Sequence, residues 1–226
     1  YSRRSPKEYY NIAYYLHEIT RMRYGNYLIF FPSHSFLQSV FEVYEENFLD
    51  PETEECIIQE DIMSEEDREQ FLSRFEGNRN CELEDMIHMD IEVEEEKSLL
   101  GFCVMGGIFS EGIDLKNDSL IGAVIVGTGL PQVCNEREIL KSYFDQKGLY
   151  GFDYAYRYPG MNKVLQAAGR VIRTEDDRGV ILLLDERFQR EKGKEIFPKE
   201  WADCERCRLD IVEEKIRLFW EKQTDN

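Results

Sequence analysis

No run of eighteen apolar residues occurs among these 226 residues, so no segment is long enough to cross a membrane as a helix. The chain opens Tyr1-Ser2-Arg3-Arg4, without an initiating Met and without the apolar segment that leads a secreted precursor, which predicts a piece of a longer protein. There is no internal repeat, and no low-complexity tract outside one acidic stretch. Cysteines are few: 56, 81, 103, 134, 204 and 207, with Cys204-x-x-Cys207 the only close pair. A four-thiolate zinc site uses a second pair, so no metal ligand is assigned. Free thiols in a reducing cytoplasm are expected, with Cys56 and Cys103 as buried small hydrophobes inside apolar runs.

A basic surface is also missing. The chain holds 28 Lys and Arg against 46 Asp and Glu, a formal charge of −18. Residues 42–97 account for all of it, with 22 acids and 4 bases; the remainder holds 24 of each. A diffuse electrostatic attraction for phosphate is therefore excluded, but local phosphate sites in the balanced part are not. Residues 77–97 concentrate the acids further, eight of them between Cys81 and Glu96. They read as a solvated insertion, with a docking surface for a basic partner as the alternative.

What is present in quantity is apolar material, 42% of the chain, enough for a real core. Five short runs look like strands buried on both faces: 27–31 (YLIFF), 56–59 (CIIQ), 102–105 (FCVM), 123–126 (AVIV) and 180–184 (VILLL). Helical patterns fall between them, at 6–24, 35–48, 64–75, 135–146, 162–174 and 211–221. The third opens Ser64-Glu65-Glu66-Asp67, in the manner of a capping box. Alternating strands and helices predict an α/β fold with a parallel sheet flanked by helices.

Three segments carry chemistry. On a helix, Gln166, Arg170 and Arg173 of QAAGRVIR fall within about 60° of one another, while Leu165, Ala168 and Ile172 form a face that suits the sheet. Two adjacent guanidiniums need an anion, either a polyphosphate or the acids Glu175, Asp176 and Asp177 just downstream. Gly169 costs helix stability of about 1 kcal/mol, which points to a close backbone approach there. The second segment is GGIFSEGIDL, residues 106–115, after a buried strand. Its backbone N–H groups and Ser110 suit phosphate oxygens and Asp114 suits a ribose hydroxyl; an ordinary strand-to-helix turn is the alternative. The third is FPSHS, residues 31–35, whose hydroxyls cap a helix or grip a nucleic-acid backbone. Seven of the 29 aromatics lie between Tyr143 and Tyr158. Core packing between a helix and the edge of the fold is expected of them, with base stacking as the alternative.

Together these segments resemble motifs IV (FFPSHS), V (GGIFSEGIDL) and VI (QAAGRVIR) of superfamily 2 helicases, in the spelling of the XPD/DinG group. The likeness extends through YAYRYPGMNKVLQAAGRVIRTEDDRGVILLLDERF and the later FPKEW, and leaves out the acidic insert and the last twenty-odd residues. It implies a RecA-like second motor lobe over 1–226, with the acidic insertion at about 77–97 and a helical extension at about 202–226. It also implies ATP with Mg2+, held mainly by a first lobe of the same chain that carries any iron–sulfur cluster, and movement 5′ to 3′ on single-stranded DNA with duplex unwinding, as in DNA repair. No G-x-x-x-x-G-K-[ST] loop is present, so the lobe has no Walker A of its own and is expected not to hydrolyse ATP alone. By the resemblance Arg170 and Arg173 reach the γ-phosphate, one as an arginine finger; Gln166 senses the nucleotide; Gly112 and Asp114 line its ribose side; and Ser33, His34, Ser110 and Glu111 face the DNA. The rival reading is a non-enzymatic scaffold of the same fold that docks a partner through residues 42–97.

Acids beside a phosphate track would repel it, so the acid-rich insert is expected to lie away from the DNA. Deleting residues 80–96 should raise nonspecific affinity for a labelled oligonucleotide only modestly and leave its salt dependence nearly unchanged. Fluorescence anisotropy at two salt concentrations checks this; loss of binding would place the insert in the DNA site.

Overall fold

The computed structural model describes residues 5–77, 97–107, 109, 120–172, 177–190 and 195–224. The acidic insertion therefore lies almost wholly outside the described residues, as do Ser110, Glu111, Gly112, Asp114 and Arg173. Five strands pair in parallel: β1 (Asn26–Phe31), β2 (Glu54–Ile58), β3 (Ser98–Val104), β4 (Gly122–Val126) and β5 (Val180–Leu184). Their order across the sheet is β2-β3-β1-β4-β5. The α-helices of the described residues are α1 (Pro6–Thr20), α2 (His34–Asn47), α3 (Glu65–Gly77), α4 (Asn135–Gln146), α5 (Tyr158–Ala168) and α6 (Val212–Thr224). This is the parallel α/β architecture expected.

Strand alternation sorts the core into two layers. Leu28 and Phe30 of β1, Cys103 of β3 and Ala123 and Ile125 of β4 face α3 and α5, against Phe71, Phe75, Met161, Val164 and Ala167. Tyr27, Ile29 and Phe31, with Phe102 and Val124, face α1, α2 and α6, against Leu16, Ile19, Val40, Ile216 and Trp220. The C-terminal helix thus shares the core of the lobe. The central strands β1, β3 and β4 are buried on both faces as expected, but β2 and β5 are only half-buried, because each has a neighbour on one side alone. Cys103 is fully buried, whereas Cys56 on the edge strand is half-buried, its thiol pushed up to about 12 chiefly by burial.

Local chemistry sets the helix starts. Ser64 and Asp67 form the reciprocal box: Asp67 N–H donates to Ser64 Oγ at 3.1 Å, and Ser64 N–H donates to Asp67 Oδ2 at 2.9 Å. The Ser64 hydroxyl, which also donates to Asp67 Oδ2 at 2.7 Å, and then the Ser64 N–H hold the Asp67 carboxyl below its ordinary value. The helix expected over 162–174 is displaced: it starts at Tyr158 and stops at Ala168, with Gly169 closing it in a turn where Gly169 N–H donates to the Leu165 carbonyl at 2.9 Å. Ile172 is consequently exposed and Val171 takes the buried place assigned to it.

One polar knot ties three elements inside the second layer. The Glu54 carboxylate on β2 is buried, and accepts from Thr20 Oγ1 at 2.7 Å and from the Tyr44 hydroxyl at 2.8 Å. Burial, and then the adjacent carboxylate, push the Tyr44 phenol far above its usual range, so it remains a donor. Tyr44→Phe keeps the ring and strands Glu54 Oε2. The expected loss is about 1–3 kcal/mol, read as a lower urea midpoint at unchanged slope. An unchanged midpoint would mean the knot contributes nothing net.

Candidate functional site

Because all five strands are parallel, their carboxyl ends share one edge. The chain leaves β1 for α2 on one face and leaves neighbouring β4 for α4 and α5, the latter packed on the other face. Such a divergence between adjacent strand ends is where open α/β sheets bind ligands. At β1 the exit is Pro32-Ser33-His34. At β4 it is Gly127-Thr128-Gly129-Leu130-Pro131, with Gly127 and Gly129 at φ of 85° and 63°, a region that favours glycine. The two exits touch: a Cβ on Gly127 would lie 3.7 Å from Pro32 Cγ. At β3 the exit is anchored from β2, where Gln59 Oε1 accepts the Val104 N–H at 2.8 Å.

Ser33 is the N-cap of α2, its Oγ accepting the Phe36 N–H at 3.4 Å and sharing a 3.3 Å bond with Ser35 Oγ. His34 begins the helix, and its Nδ1 lies 3.2 Å from Asp61 Oδ1. Both are half-buried at the ligand edge. The structure therefore gives Ser33 a capping role and His34 a carboxylate neighbour.

On α5, Gln166 is exposed; Arg170 follows in the turn after the helix, half-buried. Arg173, Gly112, Asp114, Ser110 and Glu111 lie outside the described residues. Among the described residues no second element crowds Gly169. Within 4 Å of where its Cβ would sit are only the carbonyls of Leu165, at 3.2 Å, and Gln166. The close approach expected at that glycine occurs instead at Gly160, where a Cβ would lie 2.7 Å from the Thr128 carbonyl oxygen, and reciprocally at Gly129, 2.7 Å from that of Gly160. The start of α5 thus rests directly on the β4 exit.

Upstream, 153–157 is wound as a π turn, with Tyr158 N–H donating to the Asp153 carbonyl. Pro159 supplies no N–H, so the Ala155 carbonyl four residues before it lacks its helical donor. Arg137 of α4 replaces that donor, its Nη1 lying 2.7 Å from Ala155 O. Glu138 accepts the Tyr156 hydroxyl at 2.6 Å, which pushes that phenol up to about 12. Asp145 accepts the Gly151 N–H at 2.8 Å. These polar ties hold α4, which buries none of its own residues.

The aromatic segment is not core, contrary to expectation. Tyr156 alone is buried; Tyr143, Tyr150, Phe152, Tyr154 and Tyr158 are exposed and Phe144 half-buried. The rings cover one another instead, Phe144 on Tyr154 at 4.1 Å and Phe152 on Tyr156 at 5.3 Å between centroids. A crevice of about 2140 Å³ opens at the β1 and β4 exits and follows β5; Ser33, Thr128, Phe152, Tyr156 and Arg187 are in its walls. Of the expected site residues that are described, Ser33 is in those walls, and His34, Gln166 and Arg170 are not.

Comparison with known proteins fits this geometry. The family model described as "Helicase C-terminal domain" matches residues 16–204. The chain belongs to that family. It is 28% identical over 221 residues to the ATP-dependent DNA helicase CHL1 of Vanderwaltozyma polyspora, a match covering 89% of this chain and 24% of that protein. The regulator of telomere elongation helicase 1 homolog of Aedes aegypti is 27% identical over 176 residues, 75% of this chain and 16% of that protein. The chain thus spans a quarter or less of the length of these curated relatives. Among solved structures, an XPD chain without ligand superposes with a TM-score of 0.62 at 24% identity, covering 86% of this chain and 35% of its own. An XPD helicase chain gives 0.61 at 24% identity, over 86% of this chain and 31% of its own, a likeness of fold.

Sequence reasoning passed over the β4 exit, although Gly127-Thr128-Gly129 directly after a buried strand is the same signal as the glycine pair after β3. It also passed over Lys163, whose surroundings come from distant loops. The contact at Gly160 gives a test. Gly160→Ala should cost about 1–3 kcal/mol, because backbone must move to admit the methyl, whereas Gly169→Ala should cost less. Paired urea denaturation curves check the order; equal midpoints would show that the β4 exit yields freely.

Proposed function

We propose that the chain is the second motor lobe of an ATP-dependent DNA helicase that couples ATP hydrolysis to 5′-to-3′ movement on single-stranded DNA and to duplex unwinding. The observation that carries this reading is the family match over 16–204 together with the retention of Gln166, Arg170 and Arg173. In it, Arg170 and Arg173 meet the γ-phosphate from across the interlobe cleft and Gln166 senses the nucleotide. Gly112 and Asp114 line the ribose side. Ser33, His34, Ser110 and Glu111 lie along the DNA. The name of the Vanderwaltozyma polyspora relative, an ATP-dependent DNA helicase, supports the substrate class.

Among the described residues no three His, Cys, Asp or Glu side chains converge as a metal site. In this reading magnesium and any iron–sulfur cluster belong to the first lobe. Guanidiniums contribute by stabilising charge on the transferred phosphoryl group rather than by binding the ground state. In the full-length protein Arg173→Ala should therefore lower the kcat of DNA-stimulated ATP hydrolysis by about 10³-fold or more. Affinity for single-stranded DNA should stay within about threefold. A near-normal kcat would remove the finger role, and wild-type protein that displaces strands only from 3′ overhangs would reverse the direction.

A further inference from the structure

Lys163 lies one turn before Gln166 on α5, an i, i+3 pair on one face, and Arg170 follows in the turn after the helix. Its stem starts beside the β4 exit, where a Cβ on Gly129 would lie 3.5 Å from Lys163 Cβ. Its ammonium ends at the β3 exit, where a Cβ on Gly106 would lie 2.7 Å from Nζ. Since β1 stands between β3 and β4, the side chain passes the carboxyl end of the central strand, at the divergence of the chain. Gly106 and Gly129, at φ of 71° and 63°, both leave room for it.

Nothing among the described residues answers this charge. Arg74, Arg157, Arg187 and Lys215 each have a carboxylate partner, while Lys163 forms no ion pair or hydrogen bond and is half-buried. A half-buried lysine whose counter-charge is not among the described residues suits an anionic ligand. An ammonium on a four-carbon stem binds phosphate oxygens as a point charge, without demanding a planar partner.

We propose that Lys163 is the cation of a phosphate-binding site between the β3 and β4 exits. The phosphate is either a backbone phosphodiester of the bound strand or a phosphate of the nucleotide. This rests on, and extends, the helicase reading above.

The test compares full-length wild-type protein with Lys163→Met, which keeps the stem, and Lys163→Arg, which keeps the charge. If the phosphodiester is the ligand, Lys163→Met lowers the steepness of log K against log[salt] for single-stranded DNA by about 0.7, the share of one phosphate contact. If the nucleotide is the ligand, that slope is unchanged and KM for ATP rises by about fivefold or more, a loss of uniform binding. Lys163→Arg should restore most of either effect. Tripolyphosphate provides a third arm, raising the melting temperature of wild type and of Lys163→Arg but not of Lys163→Met. That shift in a protein that neither binds DNA nor hydrolyses ATP would sustain the site and sink the helicase reading. Absence of all three effects, or an Arg variant no better than Met, would overturn the proposal.

Discussion

Backbone resting on backbone, at Gly129 and Gly160, fixes where α5 stands against the sheet. Helices that meet through ordinary side chains keep their axes about 8–10 Å apart, but glycine on both sides removes that spacer. The contact is also rigid, since carbonyl oxygens cannot change rotamer as side chains do. Everything the candidate site needs from α5 follows from it: Lys163 reaches past β1 to Gly106, Gln166 shares its face, and Arg170 follows in the turn after the helix. A lysine can be offered to the strand ends here because the helix carrying it starts almost on top of them.

The charge of the molecule is arranged around this edge. The described part of the acid-rich segment runs through α2, β2 and α3, toward the β2 margin of the sheet. The crevice follows β5 at the opposite margin. Asp61 is the exception, reaching back to His34 at the β1 exit. A carboxylate there competes with phosphate for the imidazole, so His34 and Ser33 contribute to a strand path only as the Asp61 contact and the helix cap permit. Lys163 on α5 meets no such carboxylate among the described residues.

Features decided by near neighbours were legible in the sequence. The Ser64–Asp67 box, the bounds of α4 and the buried strands β1, β3 and β4 all follow from local pattern, and each is found. Features decided by distant contacts were not. The apolar run of β5 reads as interior, but only its place at the end of the strand order leaves it half-buried. Periodicity carries α5 on through Ile172, yet Gly169 ends it earlier, because a glycine loses more conformational entropy in a helix than a turn requires. Composition could not show that the aromatic segment lies outside the core, since rings stacked on one another need no sheet beneath them. For Ser33, helix capping was legible and is found; its service to a ligand is a separate matter of what binds. Ser110, Glu111, Gly112 and Asp114 after β3, and Arg173 after α5, lie outside the described residues.

The π turn at 153–157 has a consequence for the register of the whole edge. A π turn holds one residue more than an α turn, and one residue is worth about 100° of rotation about the axis. Everything beyond it, Lys163 and Gln166 included, is turned by that amount relative to the aromatic residues that precede it. Arg137 secures the offset by bonding the carbonyl that Pro159 leaves behind. The bulge is thus an indexing device: deletion of the uncharged Ala155 inside it would swing Lys163 away from the strand ends while leaving every strand of the sheet in place.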